Sequence, residues 1–599
     1  MKKIISVVLC MIMIASLVAC ADKADESLPT DTAAQGENTA QDTEPAAEPE
    51  EPKEMLELVV DEMSSYEIVY PAEASSQEKY AVDMLLELFK SKTGVELLTK
   101  DDTLSEGQTH EGETCKIIIG RTNYAQSETA YDTLMYQDFR IIAEDSNIVI
   151  TAYTNTGYSS AVRWLEKNVF VNFEQGDLYM EAIDLQDSEV RGYAVEKWEI
   201  NGHVPLHYTI VYADEDMADA VTQTRDIIAK KTGCYMEVGL DDKTPVSDRE
   251  ILIGNTDRPE SEEVERPRAL NYSVTACADK LVIKYHGLHS KLRLLDNLFE
   301  CIFGESKELI MDGMYEYVGN FYDDPHDSSM PEEADVRIMC ANLMADRRGY
   351  DNGALADHGF LFERRIEIFH AHLDYYQPTV VGFQEACVNW YAAIDSYHDA
   401  DKWSVLKVKN PNMGNSENIF SSVMWRTDLY KLIDSGAQLY SAENNKRCRW
   451  YAWVILEDIK TKKQFCVVST HWDGFDSDNA WIQVRELAAF VNEVRSTKNI
   501  PVFTMGDFNS NEWTKSFPQY CTDIDSYDCM HAYKPEEHRV NVVDSWHGWG
   551  VADTAVGGSC DHITATKSDV EIVKFETLVY LDQIWGSDHS WLLCDFKFK

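Results

Sequence analysis

Three blocks of sequence recur in the same order within the first half of the chain. "YEIVYPAEASSQEKYAVDMLLELFKSKTGVELL" (66–98) is answered by "YTIVYADEDMADAVTQTRDIIAKKTGCYMEV" (208–238). "CKIIIGRTN" (115–123) is answered by "REILIGNTD" (249–257), and "FRIIAEDSNIVITAYTNTGYSSAVRWLEKNVF" by "YSVTACADKLVIKYHGLHSKLRLLDNLFECIF". Each set reads as a strand, an acidic helix start, an amphipathic helix stopped by Lys-Thr-Gly, a second strand, a strand ending at Gly, a hairpin and a further helix. Self-similar blocks in a fixed order mark a duplicated supersecondary unit. The expectation is two small α/β modules, at 56–190 and 198–320. The copies share no paired-carboxylate site. They read as a spacer or packing module, or, more sharply, as an attachment to carbohydrate or cell wall.

The segment before the first module cannot fold. Residues 1–20 combine a basic start ("MKK"), an apolar run too short to span a bilayer, and "LVAC", the layout of a signal peptide. "LVAC" resembles the bacterial lipobox, which implies a mature chain beginning at a lipid-modified Cys20. Its expected location is the extracytoplasmic face of a bacterial cell membrane, held by the lipid anchor. Residues 21–55 are rich in Ala, Pro, Glu, Asp and Thr. They lack the apolar surface to offset ordering entropy and read as an extended acidic spacer.

A third folded region is expected at 335–599, after the polar linker "DSSMPEEA" (327–334). Here a series of apolar, strand-like runs each stop at a polar residue. "DVRIMCANLM" runs into Asn342, "TVVGFQEA" into Glu385, "FCVVSTHWD" into His471, and "IPVFTMGDFNSNEW" into Asp507 and Asn509. "GGSCDHITAT" brings Asp561, and "IWGSDHSWLLCDFKF" brings Asp588 and His589. Alone, each reads as an Asx turn or a solvated loop. Turn chemistry does not explain six together, and strand ends on a rigid sheet are where catalytic groups concentrate.

The order N … Q-E … T-H-x-D … G-D-F-N … D-H-I … S-D-H resembles the endonuclease/exonuclease/phosphatase superfamily, in its deoxyribonuclease-like and sphingomyelinase-like branches. The resemblance covers about 335–599. It implies an α/β fold with a C-terminal four-layer sandwich, two mixed β-sheets face to face with helices outside, preceded by the two repeated modules. It also implies a Mg²⁺-dependent phosphoric ester hydrolase, with Mn²⁺ or Ca²⁺ as alternatives. A divalent cation neutralises the phosphoester, and hard oxygen ligands suit it. By this resemblance Glu385 is the principal metal carboxylate, and Asn342 and Asp588 are its neighbours. Asp507 and Asn509 position the attacking water and bind phosphate, Asp507 as base or as a second metal ligand. His589 faces the phosphoryl group, by hydrogen bond or proton transfer, and Asp561 orients it. His471 faces the leaving group or phosphate, with Glu417 as its candidate partner. Asp473 and Arg485 are expected to pair and hold their loop, with direct substrate contact by Asp473 as the alternative. The modules, through their strand–helix–"I-x-I-G" order, resemble the small α/β module ahead of the barrel in family 20 hexosaminidases and α-glucuronidases.

Charge bears on the substrate. Formal net charge is −50. Residues 331–599 hold 26 Lys+Arg against 40 Asp+Glu, so the first 330 residues carry most of the excess. A broad basic groove for nucleic acid is not expected. Of 14 Trp, 12 lie in the C-terminal region. Most are expected in the core; of those near site residues, Trp472, Trp546, Trp549 and Trp585, a few on the rim would stack a base, sugar or headgroup. Cysteines within apolar runs behave as small hydrophobes, no Cys-x-x-Cys spacing points to zinc, and Cys521 and Cys529 are near enough in sequence to pair. The reading is an extracytoplasmic, lipid-anchored metal-dependent phosphoesterase, most readily a phosphodiesterase, acting on nucleic acid, a phospholipid headgroup or a phospho-glycan. A monomer is expected, with membrane contact through the anchor and glycan contact through the modules. The alternative is a non-catalytic glycan-binding surface lipoprotein.

Overall fold

The repeated blocks fold alike, strand for strand. In the first, β1 (Glu67–Tyr70), α1 (Ser76–Thr93), β2 (Leu98–Asp101), β3 (Lys116–Ile119), α2 (Ala125–Tyr131), β4 (Asp138–Glu144), β5 (Asn147–Ala152), α3 (Asn155–Asn168) and β6 (Ile183–Ser188) build a sheet of order β2-β1-β3-β5-β4-β6. In the second, β7 (Thr209–Tyr212), α4 (Ala218–Thr232), β8 (Glu237–Leu240), β9 (Glu250–Ile253), α5 (Pro259–Glu263), β10 (Asn271–Cys277), β11 (Lys280–Tyr285), α6 (Leu288–Asp296) and β12 (Glu316–Asn320) give β8-β7-β9-β11-β10-β12. The first four strands of each order are parallel, and the hairpin strands are antiparallel. The sequence signals act as read. A capping box at Ser75 and Glu78 opens α1, and Gly94 and Gly233, in the left-handed region at φ 77° and 82°, stop α1 and α4.

This computed structural model describes residues 54–104, 109–171, 173, 176–188, 192–313, 315–321, 328–346, 361–408, 420–441, 449–474, 477–511, 514–532, 539–540, 545, 559–578 and 586–599. The signal and lipidation reading, the spacer before residue 54, Glu417, Trp546, Trp549 and Trp585 therefore lie outside the described residues. Among the described residues no helix is long and apolar enough to cross a membrane.

The C-terminal region is a mixed α/β sandwich. One sheet is built from β13 (Val336–Asn342), β14 (Val380–Ala386), β15 (Trp403–Val405), β16 (Phe420–Arg426), β22 (Arg539–Val540), β24 (Val570–Leu578) and β25 (Trp591–Phe598), in the order β15-β16-β14-β13-β25-β24-β22. The other takes β17 (Tyr430–Leu439), β18 (Trp450–Asp458), β19 (Gln464–His471), β20 (Val502–Asp507), β21 (Ser526–Asp528) and β23 (Asp561–Thr566), in the order β17-β18-β19-β20-β23-β21. The central strands are apolar on both faces because both are covered. Ile338, Val380, Phe465, Val467, Phe503, Met505, Ile563 and Leu592 fill the space between the sheets. On the outer faces, Ile368 and Phe369 of α7 (Phe362–Tyr376) pack against Met339, Val381 and Phe383. Val484, Leu487 and Val491 of α8 (Ser477–Lys498) pack against Cys466, Val468 and Val502. Four layers result: helix, sheet, sheet, helix. Cys521 and Cys529 are free thiols.

Candidate active site

The two sheets deliver their polar strand ends to one edge. Within the second sheet His471 is in register with Asp507, and Asp507 with Asp561. Asn342, at the end of β13 in the first sheet, closes the gap between sheets by donating from Nδ2 to Asp507 Oδ2 at 3.1 Å. Strands this close demand glycine at position 506, where a Cβ would overlap the Thr470 carbonyl oxygen.

Around Asp507 the groups converge. His471 Nε2 lies 3.2 Å from Asp507 Oδ2, and His589 Nε2 lies 4.0 Å from the same oxygen. The Asn509 backbone N–H donates to Asp507 Oδ1 at 2.9 Å. His589 Nε2 is also 3.4 Å from Asn342 Nδ2 and 3.9 Å from Asp588 Oδ1. On its other side His589 Nδ1 meets Asp561 Oδ2 at 2.6 Å. Asn342, His471, Asp507, Asp561 and His589 are all buried. Burial, reinforced by the charge of Asp561, pushes the Asp507 carboxyl up to about 7, while His589 and Arg449 pull the other way. For His589 burial opposes the charged ring, and Asp561, Cys560 and Asp588 overcome it, holding the imidazole well above its ordinary value. The result is a fixed imidazolium–carboxylate pair beside a carboxyl that ionises near neutrality.

Glu385 is reached through a break in regular structure. Between Phe383 and Ala386 the pairing of β14 with β16 shifts register, and Glu385 sits in the left-handed region at φ 56°. Such a conformation costs a glutamate about 1–3 kcal/mol and persists where surrounding structure enforces it. The slip turns the side chain toward the elbow that follows Asn342. There Ala345 N–H donates to Glu385 Oε2 at 3.2 Å, and Met344 N–H, itself at φ 51°, donates to Asn342 Oδ1 at 3.0 Å. Asn342, Glu385 and Asp588 offer a carbonyl oxygen and two carboxylates, a hard donor set that fits Mg²⁺. Cys560, Asp561 and His589 also lie within metal-bridging distance of one another. Their chemistry argues against such use: burial pushes the Cys560 thiol far up, so it stays neutral and donates to Asp561 Oδ2 at 3.4 Å.

Asn342, Glu385, His471, Asp507, Asn509, Asp561, Asp588 and His589 are thus linked along this edge by the contacts above, while Cys20 and Glu417 lie outside the described residues. Of two neighbours, Trp472 takes the core place expected of most tryptophans, and Asp473 differs from expectation. Trp472 is a core residue, fully buried with its Nε1 donating to the Tyr440 hydroxyl at 3.3 Å. Asp473 is held by Asn479 Nδ2 at 3.1 Å, and its own N–H by Gln483 Oε1 at 2.8 Å, so Asn479 takes the place expected of Arg485, which is exposed. Six residues, about one and two-thirds turns of α8, separate the two candidates, and Asn479 at its start is nearer the loop. Sequence reasoning missed Ser545, whose Oγ accepts from the Cys560 and Asp561 N–H groups at 3.1 and 2.9 Å and so fixes the carboxylate behind His589. It also missed Arg449, and Ser587, whose Oγ accepts from the His589 N–H at 3.3 Å. "GSDH" was the one available signal, a serine two places before the histidine.

Residues 361–589 match the family model described as the Endonuclease/Exonuclease/phosphatase family. Similar solved structures include a mannosyl-6-phosphatase of Bacteroides thetaiotaomicron VPI-5482 (16% identity, TM-score 0.38, covering 44% of this chain and 100% of that one). An endonuclease/exonuclease/phosphatase from Bacteroides vulgatus is similar at 18% identity and TM-score 0.38, covering 44% of this chain and 99% of its own. The catalytic domain of human Nocturnin, solved with a sulfate anion, is similar at 17% identity and TM-score 0.37, covering 45% and 96%. No curated protein matches the chain.

Proposed function

We propose that the C-terminal region is a metal-dependent phosphoesterase, most readily a phosphodiesterase, in a lipoprotein displayed on the extracytoplasmic face of a bacterial membrane. The observation that carries the reading is the buried set Asn342, His471, Asp507, Asp561 and His589, drawn from both sheets and centred on Asp507 Oδ2. The family match over 361–589 supports the same class. Mg²⁺ bound by Asn342, Glu385 and Asp588 would supply charge neutralisation at the phosphoryl oxygens and leaving group. The protein's own residues do the rest. Asp507, poised near neutrality, accepts a proton from the attacking water. His589, kept charged and oriented by Asp561, donates to a phosphoryl oxygen as negative charge builds. Asn509 and His471 line the same edge and contact phosphate or leaving group. The strongly acidic first half disfavours long polyanions and favours a headgroup or phospho-glycan over nucleic acid.

The test is a substrate panel on the purified chain with Mg²⁺: plasmid DNA, RNA, sphingomyelin, inositol phosphates and bis(p-nitrophenyl) phosphate. Hydrolysis of at least one, lost on chelation and restored by Mg²⁺, is the expected result. Undiminished activity after exhaustive chelation would overturn the metal assignment. His589→Ala and Asp561→Ala should each lower kcat by orders of magnitude, and the double variant should be little worse than either, because the pair acts as a unit.

A further inference from the structure

Helix α6 of the second module does not cap itself. Its partner in the first module, α3, is closed by Thr154, whose Oγ1 accepts from the Gly157 N–H at 3.0 Å. The equivalent of Thr154 is Gly287, which has no side chain to offer. The missing acceptor comes from the C-terminal region. Glu367 of α7, 2% exposed, accepts from the N–H groups of His289 at 3.0 Å and Ser290 at 3.3 Å, from the Ser290 hydroxyl, and from the Leu270 N–H at 3.1 Å. The glycine is required: a Cβ at 287 would come within 2.6 Å of Glu367 Oε2. Arg364 donating to His289 Nδ1 at 2.7 Å, and Arg268 paired with Asp374 at 3.7 Å, extend the seam, while Ala269 and Leu270 join the core under α7.

Two residues back along α7, roughly 200° around the helix, Arg365 points the opposite way. It is fully buried and donates to the Leu343 and Met344 carbonyls at 3.1 and 3.0 Å, with its guanidinium near Phe362 and Trp390. Trp390 Nε1 donates to the same Met344 carbonyl at 2.8 Å. Those carbonyls belong to the elbow whose N–H groups orient Asn342 and Glu385. One helix thus grips the second module on one face and the metal-ligand elbow on the other.

We propose that the second module is a working part of the catalytic unit. Glu367 sets the seating of α7, and Arg365 passes that seating to Leu343–Ala345; both are positioning residues. The inference rests on the phosphoesterase reading for its kinetic consequence and on geometry alone for its structural one.

The experiment compares the full chain with Glu367→Ala and with Glu367→Ala combined with Gly287→Thr, which gives α6 a cap of its own once the carboxylate is gone. Hydrogen exchange at Met344 and Ala345, kcat and KM for bis(p-nitrophenyl) phosphate, and the Mg²⁺ concentration for half-activity are measured. Glu367→Ala should speed exchange at both amides, lower kcat about tenfold or more with KM little changed, and raise the Mg²⁺ requirement. The double variant should regain melting temperature but not these three properties. Recovery of activity together with stability would reduce Glu367 to a helix cap and overturn the proposal, as would unchanged exchange at 344 and 345 in Glu367→Ala. Since exchange needs no substrate, a wild-type chain that hydrolyses nothing would refute the functional reading and leave the coupling independently decided.

Discussion

Two serines and two larger residues separate what the modules share from what they do not. Ser127 donates to the Gly120 carbonyl at 2.6 Å in the first module, and Ser261 to the Gly254 carbonyl at 3.2 Å in the second. The turn after the Gly-ending strand is thus held in the same way twice. Asp102 and Asp241 match too: each accepts from the backbone N–H of the residue three places after that glycine, Asn123 and Asp257. The next position diverges. Tyr124 stacks flat against His110 with ring centroids 4.0 Å apart and donates to Glu113 at 2.7 Å, beside a cavity of about 660 Å³ lined also by Asn123 and Asn147. Arg258 instead pairs with Asp241 and with Glu250 at 3.2 Å, and Lys280 reaches Glu250 at 2.8 Å, all four side chains nearly or fully buried. The connection from β2 to β3 is longer than that from β8 to β9, which gives the first module room for His110 and Glu113. Duplication fixed the hydrogen bonds that make the turn. The side chains above it were free to become an aromatic stack over a partly exposed carboxylate in one copy and a buried ion network in the other.

That difference predicts unequal tolerance at equivalent positions. Arg258→Met leaves Asp241 and Glu250 buried with a cation removed, which should cost about 3–5 kcal/mol. Tyr124→Phe removes one hydrogen bond from a buried hydroxyl to the partly exposed Glu113 and should cost about 1 kcal/mol. Denaturant unfolding of the full chain, followed by exchange protection in β9 and in β3, reads the two separately. Equal losses would mean that the network contributes no more than the stack.

The sequence carried most of this, and the gaps have physical causes. Strand and helix identities in the modules were legible because apolar spacing and Lys-Thr-Gly stops are local. The candidate site residues were legible because each lies at the end of an apolar run, and a strand end is a local feature. What was not legible is every contact whose partner is remote. Ser545 lies 16 residues from Asp561 and Glu367 nearly 80 from His289, and nothing in their neighbourhoods announces the meeting. Glu385 was found as a residue but not as a left-handed one, since the register slip depends on how β16 pairs. Trp472 was near enough in sequence to suggest the rim, yet alternation along the strand turned it into the core beneath α8.

The helix caps sharpen the comparison at smaller amplitude. Thr154→Ala should cost about 1 kcal/mol, the usual value of a lost side-chain cap, with the loss confined to the first module and no change in the Mg²⁺ dependence proposed for the C-terminal site. The corresponding cap in the second module belongs to Glu367, and its removal should be felt at both places. A shift in Mg²⁺ dependence on Thr154→Ala would show that the first module also bears on the site, and the contrast between the copies would fail.

The smallest expected effect concerns acid. Burial alone would raise the Glu113 carboxyl, but hydrogen bonds from His110, Tyr124 and Lys100 outweigh it and hold the group at about 2. A folded-state value below the unfolded one stabilises the native chain above the unfolded carboxylate range, and that contribution disappears as pH falls toward 2. Glu250 in the second module is also held low, by Lys280 and Arg258 against its burial, so both modules should lose stability from roughly pH 4.5 downward. Glu113→Gln keeps an acceptor for Tyr124 while removing the titration. In that variant the melting temperature should fall less steeply between pH 4.5 and 2, and at pH 7 the unfolding free energy should lie below wild type by less than about 1 kcal/mol because the ion pairs are partly solvated. The acid loss that remains would then report the other carboxylates held low, Glu67 in the first module, Glu250 in the second and Asp528 in the C-terminal region. If the slope were unchanged, Glu113 would contribute nothing to the pH dependence, and the other carboxylates held low, Glu67 and Glu250 among them, would be its source.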